Sequence, residues 1–127
     1  MFPGHLLRRK TLKRDMALIR EILLQLESGK LSRDSISIGE WDTEEVIYHK
    51  YLIMDAGLAT GMHSNTLSDE DYHLNRLTNK GHDFVDAARS KTIWKTAQDK
   101  VLQIGGAITI ETMINLLKKI INDQLGL

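Results

Sequence analysis

Apolar residues return at every third or fourth position near both ends of this chain, and that spacing admits helices and little else. Near the start, Leu12, Met16, Ile19, Leu23 and Leu26 fall on one side of a 3.6-residue repeat. The spacing predicts an amphipathic helix over about 12 to 28, stopped by Gly29, with Arg14, Glu21 and Gln25 on its wet side. Near the end, Thr109 precedes IETMINLLKKIINDQL, in which Ile110, Met113, Ile114, Leu117, Ile120, Ile121 and Leu125 form a wide apolar stripe. A stripe this wide can exceed what one small core covers. Leu116, at its edge, and Ile120 are therefore candidate partner-surface residues through which two copies would pair as a dimer.

Between these helices the period changes. KLSRDSISIGEW lacks a helical repeat, and the alternation of Ile36 and Ile38 with Ser predicts a short strand. Asp42, with Glu45 three residues on, reads as a capping box for a helix over 43 to 56, and Gly57 supplies its stop. LATGMHSNTLSDEDYHLNRLT reads as a β-hairpin with a polar tip at 63 to 71, Tyr72, Leu74 and Arg76 sharing a face. Thr78 can cap a helix over 79 to 89 that buries Phe84, Val85 and Ala88. Ser90 or Thr92 then starts another helix, with Ile93, Trp94, Ala97 and Val101, which IGGA ends.

The fold class expected is mainly α (α+β). Helix, short strand, helix, two-stranded hairpin, helix is the order of a winged helix with the hairpin as its wing and further helices at the C-terminal end. Residues 12–127 read as a single domain. Residues 1–11, with the one proline and Arg8, Arg9 and Lys10, read as a flexible basic N-terminal arm.

Composition narrows the function classes. The 127 residues include no cysteine, which removes disulfides, thiolate metal sites and cysteine nucleophiles together. No apolar run approaches the roughly 20 residues of a membrane span, and MFPGHLLRRKT places its basic residues after its apolar ones, the reverse of a secretory signal. The expectation is a cytoplasmic protein with no membrane contact. Net charge is zero but unevenly spread. Residues 1–33 carry eight basic against three acidic side chains, residues 34–72 one against nine, and residues 73–127 eight against five.

LKRDMALIREILLQLE, EEVIYHKYLIMDAGLA and LTNKGHDFVDAARSKTIWKTAQDKV, in that order, resemble a family of short bacterial and prophage proteins catalogued as a domain of unknown function. The likeness runs over about residues 12 to 118, and its most specific parts are KRDM, YH, and LTNKGHDF through TIW. It implies a winged-helix-like fold and a phage-associated regulatory or accessory role. With no established activity in the family, it supplies no catalytic residues. Members begin close to KRDM, so residues 1–11 read either as an arm or as an in-frame upstream start.

Three histidine contexts bear on chemistry. A His82–Asp83 pair is one part of the metal site of helical phosphohydrolases, which also needs a His and an Asp from other helices; His49 and Asp123 are the residues to nominate. Thr78 and Gly81 explain the same pair as the first turn of a helix, and that structural reading is preferred. His49 lies between Val46 and Leu52/Ile53 and is expected to be a core histidine whose ring meets a backbone carbonyl. His5, His63 and His73 have no spaced partner that makes a metal site. No phosphate loop, nucleophile elbow or carboxylate pair is present. The reading is of a protein that is not an enzyme and uses no cofactor or metal.

In a winged helix the element before the wing enters the major groove. Here it is the 43–56 helix, with Val46, His49, Ile53 and Ala56 on one side and Ile47, Tyr51 and Met54 nearly opposite. That leaves Glu44, Tyr48 and Asp55 as the exposed strip and candidate partner surface. Lys50 is this helix's one cation, and Asp69, Glu70 and Asp71 add acid at the wing tip, the wrong sign for phosphate. Arg8, Arg9, Lys10, Lys13 and Arg14 are the candidate nucleic-acid contacts, suited to weak binding. The expected function is a non-catalytic regulatory or protein-interaction module whose partner is a protein or a second copy; a DNA-binding transcriptional regulator is the alternative.

Overall fold

The computed structural model describes residues 12–65 and 70–127. The first helix, α1 (Met16–Ser28), starts where Asp15 accepts a hydrogen bond from the Ala17 N–H at 2.9 Å, and it stops at Gly29 in the left-handed conformation (φ 77°). Leu12 therefore precedes the helix. Asp15 is also a junction, because its other carboxylate oxygen accepts from Trp41 Nε1 at 2.9 Å and its own N–H donates to His49 Nε2 at 2.8 Å.

The strand expected around Ile36 and Ile38 does not form. Residues 30 to 41 contain an isolated bridge in which Ile38 and Trp41 exchange backbone bonds of 2.9 Å around Gly39. Ile36 is 55 % exposed. Alternation sets a strand's faces, but a ladder also needs an edge to pair with. This segment is instead held by side chains, Trp41 on Asp15 and Ser35 on Asp71.

The second helix, α2 (Thr43–Asp55), carries the predicted capping box. The Glu45 N–H donates to Asp42 at 2.8 Å and the Asp42 N–H donates to the Glu45 carboxylate at 3.1 Å. Strands β1 (Ala59–Asn65) and β2 (Glu70–Leu77) then pair antiparallel, with a bulge between Thr60 and Gly61. Thr78 caps α3 (Asn79–Ala88), Ser90 caps α4 (Lys91–Gln103) and Thr109 caps α5 (Ile110–Leu125). The fold is thus mainly helical, α+β, with one two-stranded antiparallel sheet among the described residues.

Gly81 has a role beyond starting a helix. A Cβ there would lie 1.9 Å from the Leu58 carbonyl oxygen, so only glycine lets α3 lie directly on the chain leaving α2. Around that contact, Leu18, Ile19, Ile22 and Leu23 of α1 join Val46 and Ile53 of α2, Phe84 of α3 and Leu117 of α5 in one core. Each fully buried side chain of this size contributes roughly 1.5–3 kcal/mol.

The stripe of α5 is mostly core. Ile110, Met113, Ile114 and Leu117 are buried, and Ile120, a candidate for a partner surface, is 7 % exposed, because α3 and α4 both pack on this helix. Leu116 and Ile121 are half-buried against the core, while Leu125 is 67 % exposed. Among the described residues, no helix is long and apolar enough to cross a membrane.

Candidate interaction face of α2 and the hairpin

One side of α2 belongs to the core through Val46, His49, Lys50 and Ile53. On another side, Glu44, Tyr48, Tyr51 and Asp55 recur at helical spacing, which puts two carboxylates at the ends of a strip and two tyrosines between them. Glu44 and Asp55 are exposed, Tyr48 is half-buried, and Tyr51 is 41 % exposed. The expectation that Ile47, Tyr51 and Met54 form a second buried face is corrected at Tyr51. The hairpin packs on this helix, with Tyr72 against Tyr51, and Ile47 and Met54 are only half-buried.

The hairpin extends the tyrosines into a continuous row. Tyr48 and Tyr51 stack with centroids 6.2 Å apart, Tyr51 lies 5.7 Å from Tyr72 of β2, and Tyr72 stacks at 4.8 Å on its cross-strand partner His63. His63 Nε2 reaches the exposed Glu70 carboxylate at 3.1 Å. Burial, with the nearby Glu70 and Tyr51, holds the Tyr72 hydroxyl above the usual phenol range.

Lys50 is not a presented cation. It is 1 % exposed, and its Nζ makes a long 3.4 Å bond to the Ser32 carbonyl. Burial lowers its pKa, opposed by the carboxylates of Asp71 and Asp34. Asp71, expected at the wing tip, faces inward as well. It accepts from the Ser35 N–H at 2.9 Å, from the Ser35 hydroxyl, and from the Tyr72 N–H at 2.7 Å. Burial pushes its carboxyl up, yet the Ser35 and Tyr72 donors and Lys50 together hold it below the usual range. A cleft of about 330 Å³ opens beside Lys50, between α1 and the 30–39 segment, with Glu21 and Gln25 on its wall. Both were expected on the wet side of α1 and are half-buried.

The other candidate residues fall apart in space or serve the fold. His49 is the core histidine expected: Nδ1 donates to the Glu45 carbonyl at 2.8 Å, and Nε2 accepts from Asp15, a partner that sequence spacing does not reveal. Burial lowers its pKa, outweighing Glu45 and Asp15. His82 and Asp83 are exposed in the first turn of α3. His73 was expected to lack metal-site partners, but the 30–37 segment folds over β2 and brings Asp34 within 3.7 Å of it and both close to Asp71. That group is committed to anchoring, since both Asp71 oxygens accept hydrogen bonds from Ser35 and Tyr72. Lys13 and Arg14 are exposed, and Arg14 donates to the Ile108 carbonyl at 2.8 Å. Arg8, Arg9, Lys10, His5 and Asp69 lie outside the described residues.

Against known proteins, a family model described as "Hypothetical protein (DUF2513)" matches residues 13–107. An "Uncharacterized protein" of Haemophilus influenzae is 29% identical over 118 residues, covering 91% of this chain and 100% of that one. No solved structure matches.

Proposed function

The chain belongs to that family of hypothetical proteins, and from this premise we propose that it is a non-catalytic, winged-helix-like module of a phage or other mobile element, regulatory in role, that binds protein. The observation that carries the reading is the burial of Lys50. In a winged helix, α2 is the element that would enter the major groove and the hairpin the one that would touch the backbone. Here the cation of α2 is turned into the core, and the strip that remains is Glu44, Tyr48, Tyr51 and Asp55. Affinity for duplex DNA comes largely from phosphate neutralisation, which carboxylates oppose. Tyrosines, by contrast, supply large contact area at low entropic cost and are enriched in protein interfaces.

A second reading, a DNA-binding transcriptional regulator, draws on the exposed Lys13 and Arg14. It would use the start of the chain and leave α2 outside the groove. Titration of the full chain with labelled duplex DNA at about 150 mM salt separates the two. The protein-binding reading predicts only non-specific association, with Kd in the range of roughly 10⁻⁴ to 10⁻⁶ M, falling steeply with added salt. Nanomolar, sequence-specific protection that is lost in Tyr48→Ala would reject it.

A further inference from the structure

We infer that the row Tyr48–Tyr51–Tyr72–His63 docks an arginine-rich segment of a partner protein, an inference that rests on the protein-binding reading above. Four rings are linked in steps of 6.2, 5.7 and 4.8 Å across α2 and both strands and so form one continuous band, in which Tyr51 and His63 are exposed and Tyr48 and Tyr72 half-buried. The band is rimmed by carboxylates. Glu44 and Asp55 stand at its two ends along α2, and Glu70 lies beside His63; all three are exposed. The stretch that supplies it is acidic: residues 34–72 hold nine acidic side chains against one basic, and that one is the buried Lys50. Arg76 of β2 lies at the base of the hairpin, paired with Thr60, four residues along the strand from Tyr72.

The chemistry that fits such a surface is a planar cation. A guanidinium stacks on an aromatic face and at the same time presents paired N–H donors to a carboxylate, so each arginine can use one ring and one rim acid. Lysine supplies charge without the plane. An apolar helix would desolvate Glu44 and Asp55 without offering them a cation, and nucleic acid would meet them with its own negative charge.

The test is fluorescence anisotropy on the full chain at about 150 mM salt, with labelled peptides of alternating Arg and Gly, Lys and Gly, or Glu and Gly. The Arg peptide should bind most tightly and the Glu peptide not at all. Tyr51→Phe, which keeps the ring, should retain the affinity, whereas Tyr51→Leu should weaken it by about fivefold, one ring's share of stacking at a semi-exposed site. Glu44→Gln should weaken it too, and Asp99→Asn, on α4, should not. Equal binding by Tyr51→Leu and the parent overturns the proposal, since charge alone would then account for the affinity. So does binding of the Arg peptide no tighter than that of the Glu peptide. Self-association abolished by Tyr51→Leu makes a second copy the occupant, which overturns the arginine inference and leaves the protein-binding reading standing. Labelled duplex DNA that binds the parent tightly and loses that affinity in Tyr51→Leu overturns both.

Discussion

Replacing His49 tests how the start of α1 is joined to α2. The imidazole is buried and makes two bonds of 2.8 Å, accepting from the Asp15 N–H and donating to the Glu45 carbonyl. Phenylalanine in its place keeps much of the apolar bulk. The Glu45 carbonyl retains its helical partner, so the cost falls on the Asp15 N–H, a part-buried donor left with nothing to meet. A stranded donor costs about 1–3 kcal/mol. Taking about 2 kcal/mol and a urea dependence of about 2 kcal/mol per molar, the midpoint of unfolding should fall by about 1 M.

The pH dependence gives a second readout. Burial holds the His49 pKa below its usual 6.5, because the interior disfavours the charged ring by more than the Glu45 carbonyl and the Asp15 and Glu45 carboxylates favour it. The unfolded chain therefore binds more protons than the folded one at pH values between the lowered value and about 6.5. Stability from this group is complete above about 6.5 and is lost as pH falls through that window. Urea titrations at about pH 7.5 and 5.5 should show the parent losing stability with acid and His49→Phe losing less. Parallel declines in the two proteins, or an unchanged midpoint at the higher pH, would show that the His49–Asp15 bond does not carry this stability.

Three further outcomes follow from the same contacts. Asp71→Asn should loosen the 30–37 segment and lower stability by about 2 kcal/mol, since the donors of Ser35 and Tyr72 lose a charged acceptor; hydrogen exchange at the Ser35 amide reads the loss directly. Gly81→Ala should destabilise by about 3 kcal/mol or more, measured by urea denaturation, because the new methyl meets the Leu58 carbonyl and its neighbouring backbone atoms. Leu117→Glu should prevent folding, judged by circular dichroism, whereas Leu116→Glu, at a half-buried edge, should leave a folded protein with a modest loss.

What the sequence displayed well was local. The Asp42–Glu45 box, Thr78, Ser90, Thr109 and Gly29 each act within a turn or two of themselves, so the helix limits were legible to within a few residues. What failed was set by distant partners. Ile36 and Ile38 alternate like a strand, but Ile38 bridges to Trp41 within the same turn, and the segment meets β2 through side chains, Ser35 on Asp71 and Asp34 near His73. Lys50 reads as a surface residue by type. It is buried because the Ser32 carbonyl and the charges of Asp34 and Asp71 come to it from residues far along the chain. The helical wheel sets Tyr51 with Ile47 and Met54 opposite the core side, but the wheel does not show what packs there, and Tyr51 is 41 % exposed beside the hairpin. Gly81 left a usable signal: a glycine inside a predicted helix costs about 1 kcal/mol against alanine, so its presence points to a close approach. No such signal marked the joining of His73 to Asp34 and Asp71, which sequence spacing separates widely.

The central claim is that the outward strip of α2 meets protein and not nucleic acid. A photo-crosslinking phenylalanine analogue placed at Tyr51 in the full chain, activated in the native host cells, reports what touches that position. The expected adduct survives nuclease, is digested by protease, and maps to an arginine-rich segment of the partner. An adduct that nuclease releases would contradict it.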